Sequence, residues 1–516
     1  MVLWLVALAV RQGPLIVAGR WAGEFTWDEG VYFAASQQWV HGQWPYADFL
    51  MVHPPGIVLF LAPFAALADV VPDGVAAGLA RTAMSALGAT SAVLVALLLR
   101  PYGRASAIAG SALYAVWSAT VWAEWAILLE PLLAVGLLAA LLLLAKDSPP
   151  ASERPGGPAI GHTIAAGCLM GAILTVKLWA AVPLVVLGAM LLVRDPNRAG
   201  LGRLLGFGAA ATGTAALVVL PFVGVAGPAA IWRDVVAFQF GRPAGEVPRG
   251  RRLGYFDGSL LAPERLPDAV WLVLGLIAAV VAAGAVAVLA RGREVPLRQW
   301  PPTGWLAVAL AQVLALLAAP SFYPTYTLAA APTLCLIAGI CVQVVADRLP
   351  AKAGHRGIRR TIVALGAALA LVLAVMSTGQ VARDLTPARD WGALDRIRPA
   401  AVDGAAGCVW APTPRVLIEA DLAADQARAD CPLTIDVYAT VQRESGVPDQ
   451  EFEAVAAHAR DYQAQVAGQL ATATLVIVDD AGWARLDPAN QERIRQGFAV
   501  AGATSGYTIW RSTSKR

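Results

Sequence analysis

The chain has 516 residues, 58% of them hydrophobic and 15% charged, with a formal net charge of +3. Soluble globular domains carry roughly 25% charged residues, so this composition, with a mean hydropathy of +0.60, excludes a soluble enzyme and indicates a polytopic α-helical membrane protein. The small net charge offers no basis for a nucleic-acid partner.

A bilayer crossing takes about 20 apolar residues. By that measure about eleven transmembrane helices are expected, near 1–19, 75–99, 105–122, 127–145, 160–176, 178–193, 203–225, 269–290, 303–319, 327–346 and 361–378. The first is interrupted by Arg11-Gln12 and has neither the basic start nor the cleavage site of a signal peptide. The stretch 57–71 is apolar but short, contains Pro63 and is bounded by Asp69. It is read as interfacial or re-entrant. Lys177 marks a tight turn between two spans.

Lys and Arg collect in cytoplasmic loops. Arg100/Arg104, Lys146/Arg154, Arg194/Arg198/Arg203, Arg291/Arg293/Arg298 and the cations from Arg348 to Arg360 fall on one side of this pattern. The N-terminus is therefore expected inside. The first loop, 20–74, and everything after about residue 379 are expected outside, at a bacterial plasma membrane. Two modules follow: a transmembrane module over 1–378 and an extracytoplasmic α/β domain over 379–516.

The first external loop carries the informative residues. Trp27-Asp28-Glu29-Gly30 is followed by Pro45-Tyr46-Ala47-Asp48-Phe49 and then by His53-Pro54-Pro55-Gly56. Carboxylates at a membrane boundary are costly to desolvate and are functional candidates by default. Taken alone, Asp28 also fits a helix N-cap, and Asp48 fits a cap or a partner that orients Tyr46. Glu124 and Glu130 follow the third span and are candidates for pairing across spans. Trp21, Trp27, Trp39 and Trp44 read first as interfacial anchors and second as sugar-stacking platforms. The external loop 226–268 carries Arg233, Arg242, Arg249, Arg251, Arg252 and Arg265 against the positive-inside trend. It is either a solvated tip or a cationic wall for a lipid phosphate, whose oxygens the Arg fork matches.

The terminal segment is polar. Residues 473–480 read as a buried strand, 488–500 as a helix with Pro in its first turn, and 507–510 as a closing strand. Cys408 and Cys431 are either a disulfide, in an oxidising compartment, or two buried thiols. No Cys/His spacing suggests zinc.

The ordered set Trp27-Asp28-Glu29-Gly30-Val31-Tyr32, Gly42, Pro45-Tyr46-Ala47-Asp48-Phe49 and His53-Pro54-Pro55-Gly56 resembles the first external loop of GT-C glycosyltransferases. It is most similar to the branch of protein O-mannosyltransferases and the lipid A aminoarabinose transferase. Glu130-Pro131-Leu132, the glycine-rich run 167–177 ending in Lys177, and Phe322-Tyr323-Pro324-Thr325-Tyr326 resemble further pieces of that pattern. The resemblance implies an inverting glycosyltransferase that moves a sugar from a polyprenyl-phosphate donor to a glycan, lipid or protein acceptor beside membrane lipid. It implies Asp28 as the base, with Glu29 orienting the loop or an acceptor group. It implies His53, Lys177, Arg242, Arg249, Arg251, Arg252, Tyr323 and Tyr326 toward the donor phosphate, and Tyr46, Asp48 and Glu130 toward substrate. His53 stands where some members have Lys, and Thr325 where His is common. No cofactor is implied with certainty; the wider superfamily admits a divalent metal, for which no ligand set stands out here. Two readings from other classes are a polyprenyl-lipid or glycolipid flippase, and a non-catalytic scaffold that binds cell-wall polymer.

Overall fold

The computed structural model describes residues 1–146, 160–242, 247–257, 266–292, 301–348, 372–379, 407–446, 452–504 and 506–513. It is mainly helical. In chain order the first helices are α1 (Val2–Val17), α2 (Trp27–Val40), α3 (Gly56–Leu67), α4 (Asp73–Leu99), α5 (Arg104–Val116), α6 (Ser118–Glu124), α7 (Glu130–Lys146), α8 (Ile160–Leu174), α9 (Ala181–Arg194) and α10 (Arg198–Ala226).

Among the described residues five helices are long and apolar enough to cross a membrane: Asp73–Tyr102, Arg198–Ala226, Asp268–Gly292, Pro301–Ala318 and Ala331–Arg348. Four shorter apolar helices accompany them, Val2–Val17, Gly56–Leu67, Ile160–Leu174 and Leu178–Arg194. The chain is thus a multi-pass membrane protein, and the expected count of about eleven is not established. Several expected spans differ for local reasons. The stretch expected at 105–122 breaks at Trp117, whose backbone is extended between α5 and α6. The turn expected at Lys177 between 160–176 and 178–193 is present: its backbone is extended, ahead of a one-turn 3-10 helix. The last expected span lies outside the described residues except for a helical piece at 372–379. The helix α3 runs through Pro63 for 12 residues, about 18 Å at 1.5 Å per residue, short of a ~30 Å hydrocarbon core.

Two compact units make up the chain. The first contains 1–17, 83–218 and 247–384. One close helix contact uses glycine: a Cβ on Gly167 or Gly171 of α8 would collide with the carbonyl oxygens of Phe207 and Ala211 on α10. A buried ion pair, Arg11 Nε to Glu124 Oε2 at 2.8 Å, ties α1 to the end of α6. Tyr114 donates to the other carboxylate oxygen at 2.7 Å. Arg11 interrupts an apolar helix because its charge is consumed there, as intramembrane cations require.

The second unit contains 18–82, 219–246 and 385–516. A single cut of the sequence at residue 378 would place the first of these segments elsewhere. Its contacts show why they group together. The amide of Phe25 donates to Glu419 Oε1 at 3.1 Å. Asp73 accepts from Ala423 N at 2.8 Å, capping the helix Ala423–Arg428, while its own amide donates to Asp421 Oδ1 at 2.8 Å. The terminal sheet has strands β1 (Cys408–Trp410), β2 (Ala473–Asp479), β3 (Phe498–Thr504) and β4 (Tyr507–Ser512) in the order β1-β2-β4-β3. The β1/β2 pair is parallel; β2/β4 and β3/β4 are antiparallel. The strand read at 473–480 is β2, fully inward along nearly its whole length. The helix read at 488–500 ends at Gly497, where β3 begins. Cys408 and Cys431 form a disulfide, so the bonded alternative holds in this fold.

Candidate functional site

The loop that carries the acidic pair is built around one arginine. Thr26 caps α2: its hydroxyl accepts from Glu29 N at 3.4 Å, and Glu29 Oε2 accepts from Thr26 N at 2.8 Å. This capping box satisfies two orphan amides. Arg81 of α4 then grips the same carboxylate, Nε to Oε1 at 2.6 Å and Nη2 to Oε2 at 2.8 Å. Its remaining protons go to the carbonyls of Arg20 at 3.0 Å, Trp21 at 3.3 Å, Gly23 at 2.7 Å and Glu24 at 2.9 Å. Both side chains are fully buried. Glu29 therefore holds the loop.

Asp28, the preceding residue, lies exposed in the first turn of α2. Because Thr26 is the N-cap, the capping explanation for Asp28 does not apply. The helix N-terminus favours a carboxylate there through the macrodipole. Gly30 completes the arrangement: a Cβ there would meet Arg415 at 2.8 Å, so only glycine lets the helix Pro414–Glu419 lie against α2. Trp27 packs edge-on to Phe452 at 5.7 Å and lies under Arg485 at 5.2 Å. It anchors the loop to the terminal domain.

The rest of the loop motif shapes a turn. Trp44 N donates to Asp48 Oδ2 at 2.6 Å, and Asp48 N donates to Trp44 O at 2.9 Å. Asp48 is exposed but closes this turn. Tyr46 is buried with φ +70 and donates its hydroxyl to His53 O at 2.6 Å. Burial, and then the negative charge of Asp234, push the Tyr46 phenol well up, so it stays a neutral donor. The His53 ring is half-buried and packs edge-on to Tyr32 at 5.6 Å. Trp39 and Trp44 pack on Phe222 at 6.2 and 5.4 Å, and Arg242 lies near Gln442, Nε to Oε1 at 3.4 Å, with Phe238 5.6 Å below its guanidinium.

In the first unit, Lys177, Glu130, Tyr323 and Tyr326 come together. Lys177 Nζ donates to Glu130 Oε1 at 2.5 Å and stands 3.9 Å from the Tyr326 ring centre. Tyr323 packs on Tyr326 at 5.4 Å, and Trp179 covers Tyr326 at 5.5 Å. Glu130 thus pairs with Lys177, and Glu124 with Arg11; the two acids do not pair with each other. These contacts gather one cation, one carboxylate and three aromatic rings in one place.

The Arg-rich segment divides by role. Arg252, 3% exposed, spends its guanidinium on carbonyls: Leu316 at 2.8 Å, Ala319 at 2.7 Å, Val247 at 3.3 Å and Pro320 at 3.4 Å. It caps the C-terminus of the helix Pro301–Ala318, where unpaired carbonyls collect. Arg251 pairs with Asp268 at 3.3 Å. Arg249 is exposed. Of the three, Arg252 has the geometry of a staple and Arg249 is the exposed one. Arg265 lies outside the described residues.

Arg81 was not singled out in the sequence, although a signal existed: between Asp73 and Arg100 it is the sole charged residue of α4, and intramembrane charges are functional candidates. Among the described residues no group of three or more His, Cys, Asp or Glu could hold a metal ion.

No protein-family model and no curated protein sequence matches the chain. Solved structures do. ArnT from Cupriavidus metallidurans bound to undecaprenyl phosphate superposes with a TM-score of 0.54 at 16% identity, covering 99% of this chain and 96% of that one. The oligosaccharyltransferase of Archaeoglobus fulgidus, in a complex with Zn and sulfate, superposes with a TM-score of 0.51 at 14% identity, covering 99% and 72%. The same archaeal enzyme tethered to an acceptor peptide gives 0.52 at 13% identity, covering 99% and 73%. The chain shares the overall fold of these structures, in line with the fold that the loop motif implied.

Proposed function

We propose that this protein is an inverting glycosyltransferase that moves a sugar from a polyprenyl-phosphate donor to an acceptor at the outer face of a bacterial plasma membrane. The observation that carries the reading is the Arg81–Glu29 lock, which leaves Asp28 exposed at the start of α2 in a chain with the GT-C fold. A structural neighbour that binds undecaprenyl phosphate, and another tethered to an acceptor peptide, support a lipid-phosphate donor and a separate acceptor.

The chemistry follows from these groups. The acceptor hydroxyl attacks the anomeric carbon opposite the phosphate. The new C–O bond forms as the bond from C1 to the phosphate oxygen breaks, and its electron pair leaves with the lipid phosphate. Asp28 takes the hydroxyl proton. Charge grows on the departing phosphate, and Lys177 with Tyr323 and Tyr326 offers a cation and two hydroxyls to meet it. Arg249 supplies further positive charge. Glu29, Tyr46 and Asp48 act on the loop that carries Asp28 and on its turn. The disulfide fits a terminal domain in an oxidising compartment.

The test is transfer of labelled sugar from a panel of polyprenyl-phosphate donors by membranes holding the protein, with and without chelator. Transfer from one donor identifies the sugar, and the chelator arm measures metal dependence. A tag in loop 20–74 that labels only from the cytoplasmic side would overturn the assignment of the outer face.

A further inference from the structure

The pairing of Lys177 with Glu130 bears on product release. Lys177 is 7% exposed and Glu130 is 4% exposed. Their 2.5 Å contact neutralises the cation that the reaction above assigns to the phosphate. A buried ammonium without an anion is costly, and removing one partner of a buried pair leaves that cost uncompensated. Glu130 also opens α7, a helix of 17 residues, where the N-terminal dipole favours negative charge. The Tyr326 ring at 3.9 Å gives Lys177 a second, weaker partner.

We propose that Glu130 is a positioning residue that competes with the lipid phosphate for Lys177 and thereby sets how fast the lipid-phosphate product leaves. With the pair formed, Lys177 is held in place and partly neutralised. An arriving phosphate monoester draws the ammonium toward itself at the expense of the carboxylate. After transfer, Glu130 reclaims Lys177 and the spent lipid phosphate dissociates. No bond is made or broken in this exchange. The inference rests on Lys177 serving the donor phosphate.

Binding of undecaprenyl phosphate to the full-length protein in detergent tests it. Glu130→Gln keeps the shape and a hydrogen-bond acceptor while removing the charge. Its expected effect is binding about tenfold tighter than wild type, since the phosphate then no longer competes with the carboxylate for Lys177. In turnover the same variant should lower KM for the donor and lower kcat, the split expected when ground-state competition is removed and release becomes slow. A merely structural Glu130 would not produce that split. Glu130→Gln/Lys177→Met removes both charges and controls for folding: the competition predicts that it binds more weakly than wild type. Equal or weaker binding by Glu130→Gln, with wild type binding normally, overturns the competition alone. No binding by wild type overturns the phosphate assignment of Lys177 itself. If Glu130→Gln does not fold, Glu130→Asp serves instead. Its shorter side chain weakens the contact and should also tighten binding; unchanged or weaker binding contradicts the proposal.

Discussion

Arg81 and Glu29 form a fully buried, two-pronged ion pair whose arginine also gathers four carbonyls of the chain between Arg20 and Glu24. The pair fixes the entry to α2. It also separates two adjacent acids into different roles, one spent on structure and one exposed.

Replacing Arg81 by Met should therefore act through folding. Breaking a buried pair by removing one partner costs about 3–5 kcal/mol. Arg81→Lys should recover little, because a point charge cannot reproduce the fork. Thermal unfolding in detergent checks this: both variants should melt well below wild type, and a Lys variant with wild-type stability would show that the carbonyl contacts contribute little.

Arg252 gives a second separation of roles. If it is a staple, Arg252→Lys should expose the segment 250–257 to proteolysis or hydrogen exchange almost as much as Arg252→Ala. Arg249→Ala should leave protection intact and raise KM for the donor. Equal protection in Arg252→Ala and wild type would contradict the staple.

The Cys408–Cys431 bond closes a loop with a sequence separation of 23. On the chain-entropy model such a bond contributes about 3 kcal/mol. The double variant Cys408→Ser/Cys431→Ser should lower the stability of the terminal domain by that order, read by limited proteolysis across 407–513. Reducing agent should lower the wild type and leave the double variant unchanged.

The Trp44–Asp48 turn is exposed and local. Asp48→Ala should cost about 1 kcal/mol for the lost hydrogen bond and reduce transfer only modestly. Loss of transfer equal to that of an Asp28 variant would move Asp48 into the chemistry.

Much of this was legible in the chain. The ordered loop motif pointed to the fold because its pieces lie close in sequence and pair locally: Trp44 with Asp48, Tyr46 with His53; the Thr26 cap on Glu29 was not singled out. The strands β2 and β4 were legible from short apolar runs bounded by turn residues. The pairings across long separations were not. Arg11 meets Glu124 across 113 positions, and Asp73 meets Ala423 across 350. Periodicity carries no information about partners that only tertiary structure brings together. Arg252 was misleading for a related reason: its sequence neighbours are cations, while its actual partners are the carbonyls that end another helix. The turn at Lys177 between two spans was legible, while the break at Trp117, an extended residue inside an apolar run that hydropathy alone reads as regular, was not.

The central claim is that Asp28 is the base, and the most direct measurement compares sugar transfer by wild type, Asp28→Asn and Glu29→Gln at matched expression and with thermal stability recorded. The account predicts that Asp28→Asn melts like wild type and loses transfer by about 10²–10⁴-fold, the range of general-base catalysis. Glu29→Gln should lose stability along with activity. Wild-type transfer by Asp28→Asn would contradict the account.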